Sequence, residues 1–307
     1  CDGEDFLIPG IMKHIERAGV HSGDSISIYP AQHLSERIKR IIVEYTRKLS
    51  KELNVIGLVN IQYVVYNHEV YVIEVNPRSS RTVPYISKVT GIPMVDIATK
   101  IMFGAKLKDM GYKSGLYPAG DYVAVKVPVF SFEKLTDVDT MLGPEMKSTG
   151  ECLGIGRNLE DALLKGLTAA GFDLKREGGV LISVRDSDKQ EVLPIADKFE
   201  QMGFDIYATS GTQSVLHRNM IAANLVRKIS DGEPNVETLL DSGKIHYVIS
   251  TSAKGRLPER DSVKMRRKSI ERSICSLTAI DTAKSLVKVL ESGRTINDVE
   301  LVDITKI

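Results

Sequence analysis

The second part of the sequence, from residue 180 onward, alternates short apolar runs with helical segments. The runs at 180–184 and 247–250 have the length and β-branched content of strands, whereas 190–202 has the periodicity of a helix. Strands that alternate with helices predict a parallel sheet covered by helices on both faces. We therefore expect one doubly wound α/β domain, in which ligands bind at the carboxyl ends of the strands.

Three of these predicted strand ends carry groups suited to binding an anion. Hydroxyl-rich segments follow two strands, and a lysine lies near the first helix and another after the third strand. Main-chain N–H groups, hydroxyls and a helix dipole can converge on one anion there. The alternative is that the hydroxyls only cap helices and the lysines are solvated. Because three ends converge, we favour an anion or nucleotide site formed by Lys189, Thr209, Ser210, Gly211, Thr212, Lys228, Ser250, Thr251 and Ser252.

The first part, residues 1–173, has a mixed pattern of strands and helices. A long amphipathic helix is predicted over about 35–53, two short helices over 84–103, a strand over 122–129 and a helix over 158–170. The charged segment 174–179, which ends in two glycines, is the predicted linker. We therefore expect two domains, a mixed α+β unit at 1–173 and the doubly wound unit at 180–307.

Two strand-like runs in the first part, 60–65 and 71–76, are separated by turn-forming residues and predict a hairpin. Closure near His68 places Gln62 opposite Glu74, on the same face as Asn76. Carboxylate and amide oxygens are suitable ligands for Mg²⁺, and Arg78 and Arg81 follow directly to grip phosphate. The pattern therefore indicates half of a Mg-ATP site, with an ordinary hairpin that exposes a polar face as the alternative.

Composition excludes several classes of protein. The 41 Lys plus Arg residues nearly balance the 40 Asp plus Glu residues, so no global field attracts nucleic acid or a membrane surface. Three widely spaced cysteines argue against a disulfide framework and favour a reducing, cytoplasmic setting. No apolar run reaches membrane-spanning length. Because Cys1 leads straight into a strand-like segment, we expect the chain to be a piece of a longer protein.

Four segments resemble the large chain of carbamoyl phosphate synthase, in the half that forms carbamoyl phosphate: residues 10–25, 57–62, 72–84 and 142–151. The resemblance extends over essentially the whole chain. It implies the C-terminal part of an ATP-grasp domain at 1–173, followed by an allosteric domain with the methylglyoxal-synthase (MGS) fold at 180–307. The hairpin motif alone would indicate only an ATP-grasp protein.

The resemblance implies that the site phosphorylates carbamate with ATP. Gln62, Glu74 and Asn76 stand at the positions of metal ligands for Mg²⁺ or Mn²⁺, and Arg78 and Arg81 match arginines that contact phosphate. His21 matches a loop histidine near the phosphoryl acceptor, although as an isolated loop residue it would be read as structural. Phosphoryl transfer depends mainly on positioning and charge neutralisation, which these residue types supply.

Two effector sites are also implied. The first would bind the phosphate of uridylate or inosinate, and its matching residues are Lys189, Thr209, Thr212 and Lys228, with Ser183 nearby. At two further positions of this site, the pyrimidine-regulated bacterial enzymes have an Asn and a Thr, whereas this chain has Ser250 and Ser252. The effector identity therefore stays open. Glu16 and Asp24 match an ornithine pocket of some members, but one of its acids is replaced near Val127, which puts ornithine activation in doubt.

Three alternatives for function remain. The first is a piece of the synthase that binds Mg-ATP weakly and has no turnover alone. We expect this because the sequence lacks three parts: the lobe that covers the nucleotide, the half that makes carbamate, and the glutaminase small subunit. A regulatory module that captures an effector is the second reading. Another ATP-grasp ligase, such as a carboxylase, is the third. The effector, the oligomeric state and the choice between arginine and pyrimidine synthesis are left open.

Overall fold

The computed structural model describes residues 1–134, 140–251 and 261–306. The strands are β1 (Leu7–Ile8), β2 (Lys13–His14), β3 (Ser27–Tyr29), β4 (Asn60–Tyr66), β5 (Glu69–Asn76), β6 (Gly115–Leu116), β7 (Val123–Val129), β8 (Gly150–Gly156), β9 (Gly179–Ser183), β10 (Asp205–Thr209), β11 (Asn224–Val226), β12 (Ile245–Ser250) and β13 (Cys275–Leu277). The α-helices are α1 (Glu36–Glu52), α2 (Thr82–Thr90), α3 (Met94–Met102), α4 (Leu159–Ala169), α5 (Lys189–Gln201), α6 (Ser210–Arg218), α7 (Val236–Asp241), α8 (Asp261–Glu271) and α9 (Ile280–Glu291). Within these ranges, none of the helices has both the length and the apolar character needed to cross a membrane.

The second part is built on a five-stranded parallel sheet in the order β11-β10-β9-β12-β13. Its middle strand is inaccessible on both faces, with Val180, Leu181 and Ile182 each 0% exposed. Val180 and Ile182 pack in a cluster with α5 and α9, whereas Leu181 packs in another with α7 and α8. Helices therefore cover both faces of the sheet, and the predicted doubly wound domain is confirmed.

The first part contains a four-stranded antiparallel sheet in the order β2-β3-β7-β8. On one face, Val125 and Val127 of β7 pack in a cluster with Leu163 and other residues of α4. On the other face, Ala124 packs in a cluster with α2. Alternate residues of the same strand thus serve two layers of helix, which gives the predicted mixed α+β unit.

One apolar cluster runs through both parts of the chain, since it includes Leu163 of α4 and Leu286 of α9. The segment predicted as a linker, 174–179, is bonded to the second part. Tyr247 donates its hydroxyl hydrogen to the Lys175 carbonyl at 2.7 Å, and Arg176 donates to the Leu290 carbonyl at 3.4 Å. The connection between the two parts is therefore held in place along its length.

Strands β4 and β5 form the predicted hairpin. Gln62 pairs with Glu74, and Asn60 pairs with Asn76. The two turn residues, Asn67 and His68, have φ values of 48° and 63°. Left-handed conformations at both central residues match the twist of the flanking strands, so this short turn sets the register as far as the Tyr63–Val72 pair. A one-residue shift between Tyr63 and Gln62 then brings Gln62 opposite Glu74.

The sequence patterns do not predict five short or polar strands, namely β2, β3, β6, β8 and β13, and they place one strand incorrectly. The apolar run 221–225 predicts a strand, but β11 lies at 224–226. The pattern at 261–274 predicts one helix, but α8 ends at Glu271 and Ser273 adopts a φ of 55°. That left-handed residue turns the chain into β13, which is only three residues long and carries Cys275 and Ser276. Such a strand has too few residues to show periodicity.

Helix α4 lies against β8 at unusually close range, through two glycines. A methyl group on Gly154 would lie 2.0 Å from the Ala162 carbonyl oxygen and 2.5 Å from the Gly166 nitrogen. A methyl group on Gly150, at the other end of the same strand, would meet nothing closer than 3.8 Å. Close packing of helix on sheet therefore depends on Gly154.

We predict that Gly154→Ala lowers the free energy of unfolding by about 2 kcal/mol or more, because the added methyl group forces helix and strand apart. Thermal and urea unfolding of the two variants would measure the effect, with Gly150→Ala as the matched control that stays near the parent. Equal stability of the two variants would contradict the close approach described above.

Candidate functional site

The predicted metal ligands meet on one face of the hairpin. The Glu74 Oε1 atom accepts hydrogen bonds from Gln62 Nε2 at 2.6 Å and from Asn76 Nδ2 at 3.0 Å. Alternation along β5 places Glu74 and Asn76 on the same side, and the register brings Gln62 across from Glu74. One carboxylate thus lies between two amides, as the sequence predicted.

This donor set fits one side of a Mg²⁺ or Mn²⁺ site. Mg²⁺ commonly binds one or two carboxylates and completes its shell with phosphate oxygens and water. In the present arrangement both amides turn their N–H groups toward Glu74, so a cation would require the amides to present their oxygens instead. The terminal amide torsion is broad, which makes that rotation inexpensive. No cluster of three or more His, Cys, Asp or Glu side chains suited to a metal occurs in the described part of the chain.

The two predicted phosphate-binding arginines follow β5 directly and are exposed. Arg78 donates to the Ser79 carbonyl at 2.8 Å, and its Nη2 lies 3.5 Å from Asn76 Oδ1. Arg81 occupies the N-cap position of α2. Burial raises the pKa of the Glu151 carboxyl, and the nearby charges of Lys126 and Arg81 oppose that rise. The guanidinium group of Arg81 therefore acts on the same region as Glu151, beside the hairpin.

The loop that contains His21 is joined to the hairpin by a hydrogen bond from Gln62 Nε2 to the Ser22 hydroxyl, at 3.0 Å. The Gly23 N–H donates to His21 Nδ1 at 3.0 Å. A nitrogen that accepts this bond carries no hydrogen, so in this geometry the ring hydrogen resides on Nε2. His21 is therefore prepared to donate one hydrogen bond from Nε2.

Sequence reasoning missed a further basic residue at this site. Lys126 lies on β7 and is 3% exposed, and its ammonium group donates to the carbonyls of Ser22 and Gly23 at 3.0 and 3.2 Å. The signal was visible as a single lysine within the apolar run 123–129. Strand side chains alternate in direction, so a lone polar residue in such a run marks a polar contact on one face.

The two acids matched to an ornithine pocket are both buried and both already bonded. Glu16 accepts from the Ile26 N–H and from the Thr282 hydroxyl, each at 2.7 Å. Asp24 accepts from the main-chain N–H groups of Lys147 and Ser148. They line a cavity of about 630 Å³ between the two parts of the chain, together with the apolar side chain of Val127. The structure thus brings the two acids together but uses their carboxylates to hold protein groups.

In the second part, the carboxyl ends of β10, β9 and β12 lie side by side. The Ser183 and Thr209 hydroxyls are 3.1 Å apart, and the Thr212 hydroxyl accepts from the Val184 N–H at 3.3 Å. The Thr251 hydroxyl accepts from the Arg185 N–H at 3.1 Å. Parallel strands bring their carboxyl ends to one edge, which is why residues far apart in the sequence form one hydroxyl-lined surface.

The N-terminus of α6 completes this surface. Ser210 and Gly211 are its first residues, and a methyl group on Gly211 would lie 3.0 Å from Lys189 Nζ. Lys189 also pairs with Asp186 at 2.7 Å. An ammonium group over a helix N-terminus is an arrangement that attracts an anion.

Three further residues of the predicted effector site differ in their placement. The fully buried Ser250 hydroxyl has no hydrogen-bond partner among the described residues. Lys228 is exposed beyond β11, and its ammonium group makes no hydrogen bond to the hydroxyls named above within the described ranges. Ser252 lies outside the described residues. The cradle therefore rests on β9, β10, β12 and the start of α6.

Comparisons with known proteins match two separate ranges of the chain. The family model described as carbamoyl-phosphate synthase L chain, ATP binding domain, matches residues 10–110, and the MGS-like domain model matches residues 191–278. The carbamoyl phosphate synthase large chain of Lachnoclostridium phytofermentans is 52% identical over 307 residues. That match covers 100% of this chain and 29% of the relative, so the chain spans less than a third of the relative's length.

Among solved structures, the biotin carboxylase domain of a single-chain bacterial carboxylase aligns with a TM-score of 0.44 and 16% identity. The alignment covers 55% of this chain and 44% of that one, which is too distant a likeness to bear on function. The two family models and the relative agree with each other. The chain therefore combines a region that matches the carbamoyl-phosphate synthase L chain ATP-binding domain with a region that matches the MGS-like domain, and it is similar along its whole length to a carbamoyl phosphate synthase large chain.

Proposed function

We propose that the first part of this chain holds the metal and the phosphates at the site where a carbamoyl phosphate synthase, a ligase, phosphorylates carbamate with ATP. The observation that carries the proposal is the cluster of Glu74, Gln62 and Asn76, joined through the Gln62–Ser22 hydrogen bond to the His21 loop. A carboxylate with two amides, two arginines and a histidine on adjoining segments has the composition that phosphoryl transfer requires.

In this proposal a carbamate oxygen attacks the γ-phosphorus of ATP, the bond from that phosphorus to the ADP oxygen breaks, and carbamoyl phosphate and ADP result. A bound Mg²⁺ or Mn²⁺ supplies charge neutralisation between the phosphates. Glu74, Gln62 and Asn76 would hold that cation, while Arg78 and Arg81 bind phosphoryl oxygens. His21 donates its Nε2–H to an oxygen on which negative charge develops, which is the kind of stabilisation that lowers the barrier most.

We assign turnover to a protein longer than this chain, because the relative that it matches is more than three times as long. The finer expectations follow the resemblance: glutamine as the ammonia source through a glutaminase small subunit, and a cytoplasmic location. On this view the 307-residue chain alone binds Mg-ATP weakly and makes no carbamoyl phosphate.

For the MGS-like part we propose capture of a small phosphorylated effector. Support comes from the hydroxyls of Ser183, Thr209 and Thr212 beside the N-terminus of α6, with Lys189 above it. The unpaired, buried hydroxyl of Ser250 lies at the end of the neighbouring strand β12. Buried polar groups without partners are costly, and a bound phosphoryl oxygen or a water would satisfy this one.

Binding of an effector would reach the phosphorylation site through the segment that precedes His21. Arg17 donates to Asp281 at 3.0 Å and also pairs with Glu191, so it joins this segment to α9 and α5. The neighbouring Glu16 bonds Thr282. Coupling of this kind is reciprocal in binding free energy, so the substrate would alter effector affinity by the same factor.

The first test concerns the metal cluster. We expect Glu74→Gln in the longer enzyme to lower carbamoyl phosphate synthesis about a hundredfold or more, because the only carboxylate between the two amides is lost. Bicarbonate-dependent ATP hydrolysis, which the resemblance assigns to the other half, should persist. Glu69→Gln is the matched control, since Glu69 accepts from Tyr71 at the far end of the same strand. Parallel loss of both activities would indicate a folding defect, and full synthesis by Glu74→Gln would refute the assignment.

The second test concerns the effector cradle. Calorimetric titration of the 307-residue chain with UMP, IMP and N-acetylglutamate should detect binding of a phosphorylated ligand, and Lys189→Met should weaken it about tenfold by removing a charged partner. Lys198→Met is the control, because Lys198 lies on the same helix but pairs with Glu291. Absence of heat with all three ligands would rule out effector capture.

The third test concerns coupling between the parts. Effector and ATP are expected to change each other's affinity by a common coupling factor. We expect Arg17→Gln to lower that factor up to about fivefold, which corresponds to the free energy of one exposed ion pair. Basal synthesis should be retained. Arg294→Gln is the control, since Arg294 also bridges the two parts, to Asp161 at 2.7 Å, but away from the His21 loop. An unchanged coupling factor in Arg17→Gln, measured by titrating each ligand with and without the other, would exclude this route.

A further inference from the structure

The buried lysine on β7 requires a physical explanation. Lys126 is 3% exposed, and its strand neighbours Val125 and Val127 are 0% and 1% exposed. An ammonium group taken out of water is costly unless it is bonded and compensated. Burial lowers the pKa of Lys126, while the carboxylates of Glu151, Glu16 and Asp24 act in the opposite direction. The lysine therefore lies among acids that belong to the loop and to its surroundings.

Its hydrogen bonds go to the main chain of the His21 loop. The ammonium group donates to the Ser22 carbonyl at 3.0 Å and to the Gly23 carbonyl at 3.2 Å. A long side chain that binds two consecutive carbonyls determines how the intervening peptide groups are oriented. No other side chain among the described residues donates to the Ser22 carbonyl.

The orientation of the Ser22 carbonyl has a direct consequence for His21. The Ser22 C=O and the Gly23 N–H belong to one planar, trans peptide unit, so they point in opposite directions. When Lys126 binds the carbonyl on one side, the N–H is directed to the other side, where it donates to His21 Nδ1 at 3.0 Å. That bond is the reason that the ring hydrogen resides on Nε2.

The rest of the loop is held independently of Lys126. The His21 N–H donates to the Gly143 carbonyl at 2.7 Å, and the Ser25 hydroxyl donates to the His21 carbonyl at 3.2 Å. Ser148 shares the Gly23 carbonyl at 3.1 Å. Loss of Lys126 would therefore free mainly the Ser22–Gly23 peptide, and the loop would remain attached at both ends.

We propose that Lys126 is a positioning residue for the candidate phosphorylation site, which orients the Ser22–Gly23 peptide and thereby fixes the tautomer and the direction of the His21 ring. The inference rests on the proposed role of His21 in phosphorylation. A purely structural lysine would affect stability and leave the histidine ring unchanged, so the two explanations differ in what they predict for His21.

The test is the ¹⁵N spectrum of the histidine rings in the 307-residue chain, with His21 assigned by its loss in His21→Asn. In the parent chain we expect an unprotonated Nδ1 and a protonated Nε2. In Lys126→Met, which has a similar volume but no donor, the two His21 nitrogens should move toward averaged values because both tautomers become populated. Lys165→Met is the matched control, since Lys165 donates to the Ile155 carbonyl at 2.7 Å and to the Glu300 carbonyl, remote from the loop.

In the longer enzyme, Lys126→Met should lower kcat for carbamoyl phosphate synthesis about tenfold to a hundredfold, the cost of a misplaced catalytic group, with little change in the KM for ATP. Native His21 nitrogens in a folded Lys126→Met chain would overturn the proposal. If that variant does not fold, Lys126→Leu takes its place, because it also lacks a donor, and native ring signals with native kcat would overturn the proposal equally. Failure of the proposed function is separate: His21→Asn would then retain full synthesis, whatever the ring spectra show.

Discussion

The carboxylate of Glu16 is the contact on which the relation between the two parts of this chain most depends. It is 5% exposed, and it accepts from the Ile26 main chain in the first part and from the Thr282 hydroxyl in the second. Burial raises the pKa of this carboxyl, and the bonds from Thr282 and Ile26 oppose that rise. Glu16 and Ile26 lie at the two ends of the segment that contains His21. The position of the histidine relative to the hairpin therefore depends on a contact that the MGS-like part helps to make.

Much of the architecture was predictable, because it follows from local rules. Side-chain alternation and a hairpin that closes near His68 predict Gln62 opposite Glu74, and the structure has this pair. The turn alone would pair Gln62 with Ile73, so the pair also depends on a one-residue register shift beside Gln62. The rule that parallel strands end at one edge brought Ser183, Thr209 and Thr251 together, although they are far apart in the sequence. Helix α1 begins and ends within a residue of its prediction, since Ser35 caps its start.

The features that could not be predicted depend on partners distant in the sequence. A lysine within an apolar strand does not reveal whether it reaches water or a carbonyl, and only the fold brings Lys126 to Ser22. Strand β13 exists because β12 offers it a free edge, not because three residues have a strong preference of their own. Glu16 and Asp24 were matched to a ligand pocket by type and position, but the sequence did not show that main-chain N–H groups and a threonine hydroxyl already occupy their oxygens.

Charge is distributed so that both of the proposed anion sites are local. The chain as a whole is nearly neutral, with 41 basic and 40 acidic residues, yet Arg78, Arg81 and Lys126 all lie near the hairpin and its loop. The charges of Lys126 and Arg81 are partly offset by Glu151, and that of Lys126 also by Asp24, which limits the local positive potential. A polyanion with its cation adds charge of both signs to such a site. Recognition then depends on the geometry of individual carboxylate, amide and guanidinium groups rather than on a long-range field. Loss of one such group, for example the Glu74 carboxylate, is therefore expected to affect binding more than a change in the net charge of the chain.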